Sequence, residues 1–191
     1  GEAVGADVAR GTPQVFAKAD GFQTFHIGEE GDPWRGRFDL VTALDVLEHT
    51  PDDVNALLDM KSYLRPTGQI ILTVPAYSWL WTGEDELSLH VRRYTKKRLR
   101  LIAAAARLSM EFISYFNFLA LPVHAAAALA YRLRAKGSEP RSLVRKCPRL
   151  FNAFLVRMVG FELSRIGAEK LRVPCGCSIV CRLMKEEARD A

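Results

Sequence analysis

The chain has 191 residues, of which 49% are hydrophobic and 26% are charged, and its formal net charge is +5. This composition is typical of a globular protein and excludes collagen-like, low-complexity and wholly disordered chains. Four cysteines in a chain of this length do not form a disulfide framework, so a reducing compartment, the cytoplasm, is expected.

Short apolar runs predict a series of strands along the chain. In chain order they are Ala3–Ala6, Phe22–Ile27, Phe38–Leu44, Gln69–Pro75, Met110–Phe118 and Ser178–Met184. The near-continuous apolar character of the third run is typical of a strand that is covered on both faces.

Helices are predicted between these strands by helical spacing of apolar residues and by capping residues. They cover Thr12–Ala19, a segment that begins at Pro51–Asp53, Thr95–Leu108, Pro122–Arg134 and Leu150–Arg165. Strands that alternate with helices imply an α/β fold, with a parallel sheet and crossover helices. Ligands of such sheets bind at the carboxyl ends of the strands, which here are followed by Asp7, Gly28–Glu30 and Leu44–His49.

Several segments at the strand ends share a known sequence pattern. They are Val4–Asp7, Gly28–Trp34, Phe38–His49 (FDLVTALDVLEH), Leu64–Pro75 (LRPTGQIILTVP), His90–Thr95 and Leu171–Ser178. In their order and spacing these segments resemble class I S-adenosylmethionine-dependent methyltransferases, in particular a bacterial branch that acts on small molecules or lipids. The resemblance covers essentially the whole chain.

The resemblance implies a Rossmann-like α/β methyltransferase sheet with a helical insertion before its last strand. Residues 1–118 would form the core, residues 119–172 the insertion, and residues 173–191 the final strand and tail of the same domain. The family's first strand and glycine-rich loop would precede Gly1, so we expect an N-terminally truncated methyltransferase. Whether the chain binds its cofactor without that loop is left open.

The resemblance also implies which residues contact S-adenosyl-L-methionine. Asp7 would accept hydrogen bonds from the ribose hydroxyls, a role that suits a carboxylate, although many strands end in aspartate without it. The other predicted cofactor residues are Val8 against the adenine, Gly28 and Glu29 by its amino group, and Leu44 and Asp45 on the methionine side.

Methyl transfer from a sulfonium needs mainly alignment and exclusion of water, with a base only where the acceptor must lose a proton. His49, just beyond the third strand, and His90, in the loop after the fourth, are the candidate bases. Tyr94 is the third candidate catalytic residue. The alternative for His49 is a capping or packing role.

Three further residues are candidates for substrate binding. Arg93 is suited to an anionic substrate group, and its alternative is an ion pair with one of the acidic residues 84–86. Trp79 and Trp81 are candidates for an aromatic wall at the substrate, and burial in a lid is their alternative.

The three cysteines near the last strand, Cys175, Cys177 and Cys181, are expected to share one face of it. They lack a fourth ligand at usable spacing and a C-x-x-C pair. We therefore predict small buried hydrophobes and no metal site.

Charge is divided unevenly between the two halves of the chain. Residues 1–90 carry 6 Lys/Arg against 15 Asp/Glu, whereas residues 91–191 carry 21 against 7. The basic half favours an anionic partner or is a solvated surface. The uncharged stretch Phe112–Tyr131 is interpreted as a buried strand followed by a helix, or as the start of a surface helix, Leu119–Leu133, that meets anionic lipid through the basic residues 132–149.

The expected function is methyl transfer to a small-molecule or lipid-linked acceptor, with peripheral contact at the inner face of the membrane. The alternative is a non-catalytic membrane-surface or scaffold protein that keeps the methyltransferase shape. A nucleic-acid substrate is not expected, because the chain has no catalytic motif of the N-P-P-Y type.

Overall fold

A computed structural model describes residues 3–7, 22–26, 33–133, 149–168 and 171–186. The strands are β1 (Ala3–Asp7), β2 (Phe22–His26), β3 (Phe38–Leu44), β4 (Leu64–Pro75), β5 (Leu108–Phe116) and β6 (Ser178–Lys185). The helices are α1 (Asp53–Tyr63), α2 (Gly83–Leu87), α3 (Lys96–Ala105), α4 (Leu121–Arg132) and α5 (Arg149–Gly167), with short 3₁₀ turns at Leu47–His49 and Ser78–Leu80. The helix predicted at Thr12–Ala19 lies outside the described residues.

The strands form a four-stranded sheet in the order β3-β4-β6-β5 and a separate parallel pair, β1-β2. Strand β3 pairs parallel to β4, whereas β6 runs antiparallel to both β4 and β5. The predicted Rossmann-like α/β fold is therefore confirmed, but the expectation of an all-parallel sheet is wrong. A strand's direction depends on the path of the preceding connection, which local apolar patterns do not encode.

The core lies against the two central strands of the larger sheet. Alternate residues of β4 are buried, among them Ile70 and Leu72, and so are Ile179 and Leu183 of β6. Helices α1 and α3 contribute Leu57, Met60, Leu99 and Ile102 to the same cluster. Burying each of these side chains stabilises the fold by about 1.5–3 kcal/mol, which fixes the strand ends that carry the site.

Strand β3 is less covered than its sequence predicts. Among its described residues only Ala43 is buried, and Leu40 and Leu44 are 45% and 60% exposed, because β3 lies at the edge of the four-stranded sheet. The expectation of a strand covered on both faces is wrong for this set of residues. The pairing of β3 with β4 has a register break near its start, since Phe38 pairs with Leu64 but Leu40 pairs with Gln69.

Helices α1 and α3 begin where the sequence predicts them, at Pro51–Asp53 and at Thr95. The Asp52 side chain accepts a hydrogen bond from the Asn55 backbone N–H at the start of α1, and Thr95 accepts one from Arg98 at the start of α3. Each cap satisfies an N–H group that the helix leaves unpaired and is worth about 1 kcal/mol.

The uncharged stretch 112–131 is divided between β5 and α4, as the first interpretation predicts. Among the described residues, no helix combines the length and the apolar character needed to cross a bilayer. Cys177 and Cys181 are buried, and burial raises the pKa of the Cys177 thiol to about 11. Both therefore behave as the small hydrophobes predicted.

Candidate active site

The carboxyl ends of β3, β4 and β5 lie on one edge of the sheet, because these three strands run in the same direction. Each is followed by a residue whose φ is positive: Asp45 at 53°, Tyr77 at 56° and Asn117 at 59°. Non-glycine residues adopt this backbone conformation at a cost, and such strain is concentrated at functional sites. This edge is where the sequence placed the candidate site residues.

The loop after β4 folds back over the turn after β3. Tyr94 donates its backbone N–H to the Pro75 carbonyl at 2.9 Å, and Tyr77 donates to the Tyr94 carbonyl at 2.8 Å. Farther along, the Val91 N–H bonds to the Glu48 carbonyl at 2.8 Å. These bonds hold the segment that carries His90 against the turn that carries His49.

Glu48 is the most unusual side chain of this edge. It is fully buried, and neither of its carboxylate oxygens has a hydrogen-bond partner among the described residues. Burial raises the pKa of Glu48 to about 7, and the negative charges of Asp45 and Asp85 act in the same direction. A buried carboxylate without partners is costly, so this position calls for a cation or a proton.

His49 and His90 meet beside Glu48. Their rings are 4.7 Å apart in an edge-on arrangement, although 41 residues separate them in the sequence. The Nε2 atom of His90 lies 3.9 Å from Glu48 Oε1, and its side chain is 17% exposed. His49 is exposed, so the cluster opens to solvent on its side. The structure thus brings together both candidate bases.

His90 is oriented by a buried carboxylate. Its Nδ1 atom lies 2.9 Å from Asp85 Oδ1. Arg93 donates to both oxygens of Asp85, from Nε at 2.7 Å and from Nη2 at 2.8 Å. Burial tends to raise the pKa of Asp85, but the hydrogen bonds from Arg93 and His90 outweigh it and hold the pKa below its usual range. Asp85 is also fixed by a bond from the Thr82 N–H in the capping box of α2.

Tyr94 and Arg93 are committed to partners within the protein. The Tyr94 side chain is fully buried, and its hydroxyl donates to the Leu47 carbonyl at 3.1 Å and lies 3.3 Å from an Asp53 carboxylate oxygen. Burial raises the pKa of Tyr94 above its usual range. The Arg93 side chain is only 7% exposed and makes the ion pair with Asp85 that was its alternative role. Both residues hold the loop and the turn in place in this structure.

Aromatic side chains continue the edge toward β5. The rings of Tyr77 and Tyr115 stack at 5.1 Å, and Trp79 lies 5.7 Å from Tyr77. Trp79 is 45% exposed and Trp81 is half-buried. Helix α4 is tied to this segment by hydrogen bonds from Arg132 to the Trp79 carbonyl and from Tyr131 to Glu86.

The predicted cofactor residues are only partly described. Asp45 follows β3, where its backbone N–H donates to the Thr73 carbonyl at 3.0 Å and to the Thr73 hydroxyl at 3.1 Å. Leu44 precedes it and is largely exposed. Asp7 ends β1, which pairs with β2, and Val8, Gly28 and Glu29 lie outside the described residues.

Two acidic residues of the site were not singled out from the sequence. Glu48 stands in the recognised segment Phe38–His49, but a glutamate next to a turn is usually solvated, and only the packing of the β4 loop buries it. Asp85 was grouped with its acidic neighbours. The signal that distinguishes it is the spacing Thr82-x-x-Asp85, which is a capping-box pattern.

The comparisons with known proteins agree with this fold. Residues 2–123, more than half of the chain, match the model of the family described as "Methyltransferase domain". No curated protein matches the sequence significantly.

Solved structures similar in fold include YcgJ of Bacillus subtilis, with a TM-score of 0.54 and 12% identity over 98% of this chain and 83% of that one. A SAM-dependent methyltransferase of Thermotoga maritima gives a TM-score of 0.54 and 12% identity, covering 96% of this chain and 73% of that one. A complex of the Haloferax volcanii Trm112 methyltransferase activator with its candidate methyltransferase gives 0.54 and 13%, covering 96% and 72%.

These findings define a methyltransferase domain with a Rossmann-like α/β sheet. The chain belongs to the Methyltransferase domain family.

Proposed function

We propose that the protein methylates a small or lipid-like acceptor that approaches the carboxyl edge of the sheet next to His49 and His90. The observation that carries this proposal is the meeting of these two side chains, from different strand ends, at 4.7 Å beside the open end of β3. A polar cluster at the strand ends of an α/β sheet is the usual place for a reacting group.

The end of β3 suits the methionine portion of the cofactor. Leu44 offers an exposed apolar surface, and Asp45 is an exposed carboxylate whose backbone is held by Thr73. A carboxylate forms charge-assisted hydrogen bonds with an amino acid's ammonium group. When bound, the cofactor supplies an electrophilic methyl group on a sulfonium sulfur. Contacts of Asp7, Val8, Gly28 and Glu29 with the cofactor remain proposals from sequence resemblance.

The chain's own residues would align the acceptor and exclude water. We assign contact with the acceptor to His49 and His90, and the aromatic wall to Trp79 and Trp81. Tyr94 and Arg93 act as positioning residues, because their polar atoms are bonded to Leu47 and Asp85. Residues 119–172 form the proposed insertion, whose helix α4 contacts the Trp79 segment.

Cofactor binding provides the first test. S-adenosylhomocysteine titrated calorimetrically into the protein should bind, and Asp45→Asn should weaken binding by about tenfold, the worth of one charge-assisted hydrogen bond. Asparagine tolerates the positive φ at this position, so the backbone is retained. Asp59→Asn, at an exposed site on α1, is the matched control and should bind as the parent does. No binding by the parent, or equal weakening by both changes, would contradict the assignment.

An apolar or lipid-linked acceptor is favoured by the surface around α4 and α5. A groove of about 310 Å³ is lined mainly by apolar side chains, including Phe118, Met158 and Phe161. Val123 and Leu129 of α4 and Leu133, which directly follows the helix, are 68%, 57% and 78% exposed. At 3.6 residues per turn these three lie within one third of the helix circumference, opposite the buried Ala128. Such an exposed stripe is typical of contact with a partner or a membrane surface.

Vesicle co-sedimentation tests this surface. The protein should pellet with anionic phospholipid vesicles at low salt, and Leu129→Glu should reduce the bound fraction several-fold, because it places a charge in the apolar stripe. The control Leu101→Glu makes the same change at a 62% exposed position of α3 and should have no effect. If the parent does not pellet, or if both variants lose the same fraction of bound protein, the proposed membrane contact is contradicted. Pelleting without binding of S-adenosylhomocysteine would favour the non-catalytic membrane-surface protein instead.

A further inference from the structure

The cluster of Glu48, His49 and His90 has the composition of a metal site. Each residue offers one potential ligand atom, and these three atoms all lie within 4.8 Å of one another. Two imidazoles and one carboxylate are a donor set that binds divalent first-row transition metals and leaves coordination positions open. From this geometry we propose that the three side chains hold one such cation.

The burial of Glu48 is an independent observation that points to a cation. Its side chain is fully buried beside the two rings, and both carboxylate oxygens lack hydrogen-bond partners within the described part of the chain. Buried carboxylates are normally paired or coordinate a metal. His90 Nε2 is 3.9 Å from Glu48 Oε1, which is too long for a hydrogen bond.

Asp85 fixes His90 in the form that a ligand requires. A carboxylate accepts hydrogen bonds, so the 2.9 Å contact between Asp85 Oδ1 and His90 Nδ1 places the ring proton on Nδ1. In the neutral ring the lone pair is then on Nε2, 3.9 Å from Glu48 Oε1. A carboxylate behind a metal-binding histidine is a common arrangement, because it sets the ring's orientation and raises its basicity. The two bonds from Arg93 hold Asp85 rigid in turn.

The local charge also favours a cation. Asp45 and Asp85 add negative charge around Glu48, and the positive charge of Arg93 is paired with Asp85. His49 is exposed, so an ion can enter from solvent. This site was not predicted from the sequence, because its ligands come from segments 41 residues apart.

A cation here would deepen the methyltransferase proposal by naming a property of its acceptor. An oxygen atom of the acceptor would occupy an open coordination position, so that His49 and His90 contact the acceptor through the cation. The cation favours the deprotonated oxygen, and the proton leaves to solvent on the exposed side of His49. The oxygen would then form the new C–O bond as the C–S bond of the sulfonium breaks, with the bonding electron pair staying on the sulfur of the neutral thioether product. The acceptor class is therefore one with a hydroxyl or phenolic oxygen. This last step rests on the proposed function, whereas cation binding itself does not.

Cobalt is a suitable probe, because its visible absorption reports the ligand set. The whole chain, freed of metal with a chelator and held near neutral pH, is titrated with Co²⁺ alone. We expect one equivalent to bind with visible bands and without the near-ultraviolet thiolate absorption that the cysteines would give. Zn²⁺ should compete with Co²⁺ and raise the melting temperature, since a ligand that binds only the folded state stabilises it.

Variants then locate the ion. His49→Ala changes an exposed side chain, so the fold is retained, and it should weaken Co²⁺ binding at least about tenfold, as should Glu48→Gln. Asp59→Asn, at an exposed position of α1, is the control and should leave binding unchanged. Lack of Co²⁺ binding by the parent, a thiolate spectrum, or equal affinity of the parent and His49→Ala would overturn the proposal. Because no cofactor is present, these results stand apart from the S-adenosylhomocysteine titration.

Discussion

Gly176→Ala is expected to lower the free energy of unfolding by about 3 kcal/mol, at the upper end of the cost of overpacking. An added Cβ would lie 2.1 Å from the Phe116 carbonyl oxygen and 2.8 Å from its carbonyl carbon. Both atoms belong to the backbone at the end of β5, so no side-chain rotation can relieve the contact. Relief requires β5 and the segment before β6 to separate where Phe116 pairs with Ser178.

Urea denaturation of the parent and the variant measures this loss. Gly160→Ala is the matched control, because no atom lies within 4 Å of the position that its Cβ would take on α5. An alanine inside an exposed helix should stabilise by about 0.5–1 kcal/mol. If Gly176→Ala unfolds within 1 kcal/mol of the parent, the close approach of the two segments is wrong.

Gly176 also shows what a sequence pattern can and cannot convey. The segment Leu171–Ser178 was recognised with its glycine, but the reason for a glycine there is the distance to Phe116, which only the pairing of β5 with β6 creates. The same segment supplies the Cys177 carbonyl, which accepts the Ala76 N–H at 2.7 Å directly after β4. The local sequence identified the segment, but the pairing of β5 with β6 explains why it contains a glycine.

Elements governed by local interactions were predicted well. The cap Thr95 acts within the first turn of α3, so its signal is complete in a few residues. Strand β3 was also located correctly, but its coverage was not, because coverage depends on neighbours elsewhere in the chain.

The candidate site divides in the same way. His49 and His90 were selected because each follows a strand of a recognised pattern, and the structure brings them together. The sequence does not predict whether a polar side chain at these strand ends is exposed or buried. Glu48 and Tyr94 are buried by the return of the loop after β4, and that return is set by hydrogen bonds such as Val91 to Glu48.

The second large effect on stability is expected from replacing Asp53, whose carboxylate is buried. Its Oδ2 atom lies 2.8 Å from Arg98 Nη2 and 3.0 Å from Arg92 Nη1. The Tyr94 hydroxyl lies beside the same oxygen. We expect Asp53→Asn to lower the free energy of unfolding at neutral pH by about 3 kcal/mol, because it leaves a partly buried arginine without its counter-charge. The control Asp39→Asn breaks an exposed pair with Arg65 and should cost less than about 1 kcal/mol.

The effect of Asp53 should depend on pH in a defined direction. Burial tends to raise its pKa, but the hydrogen bond and charge of Arg98, followed by those of Arg92, outweigh burial and lower the pKa below its usual value. An aspartate in the unfolded chain titrates near pH 3.9, so acid protonates the unfolded state first. The stabilisation is complete above that pH and is lost as the pH falls through the lower, folded-state value. Urea denaturation from neutral to acidic pH should therefore show the difference between the parent and Asp53→Asn shrinking below about pH 4. A difference that stays constant down to the lowest pH at which both proteins fold would show that the ion pair does not stabilise the loop over Glu48.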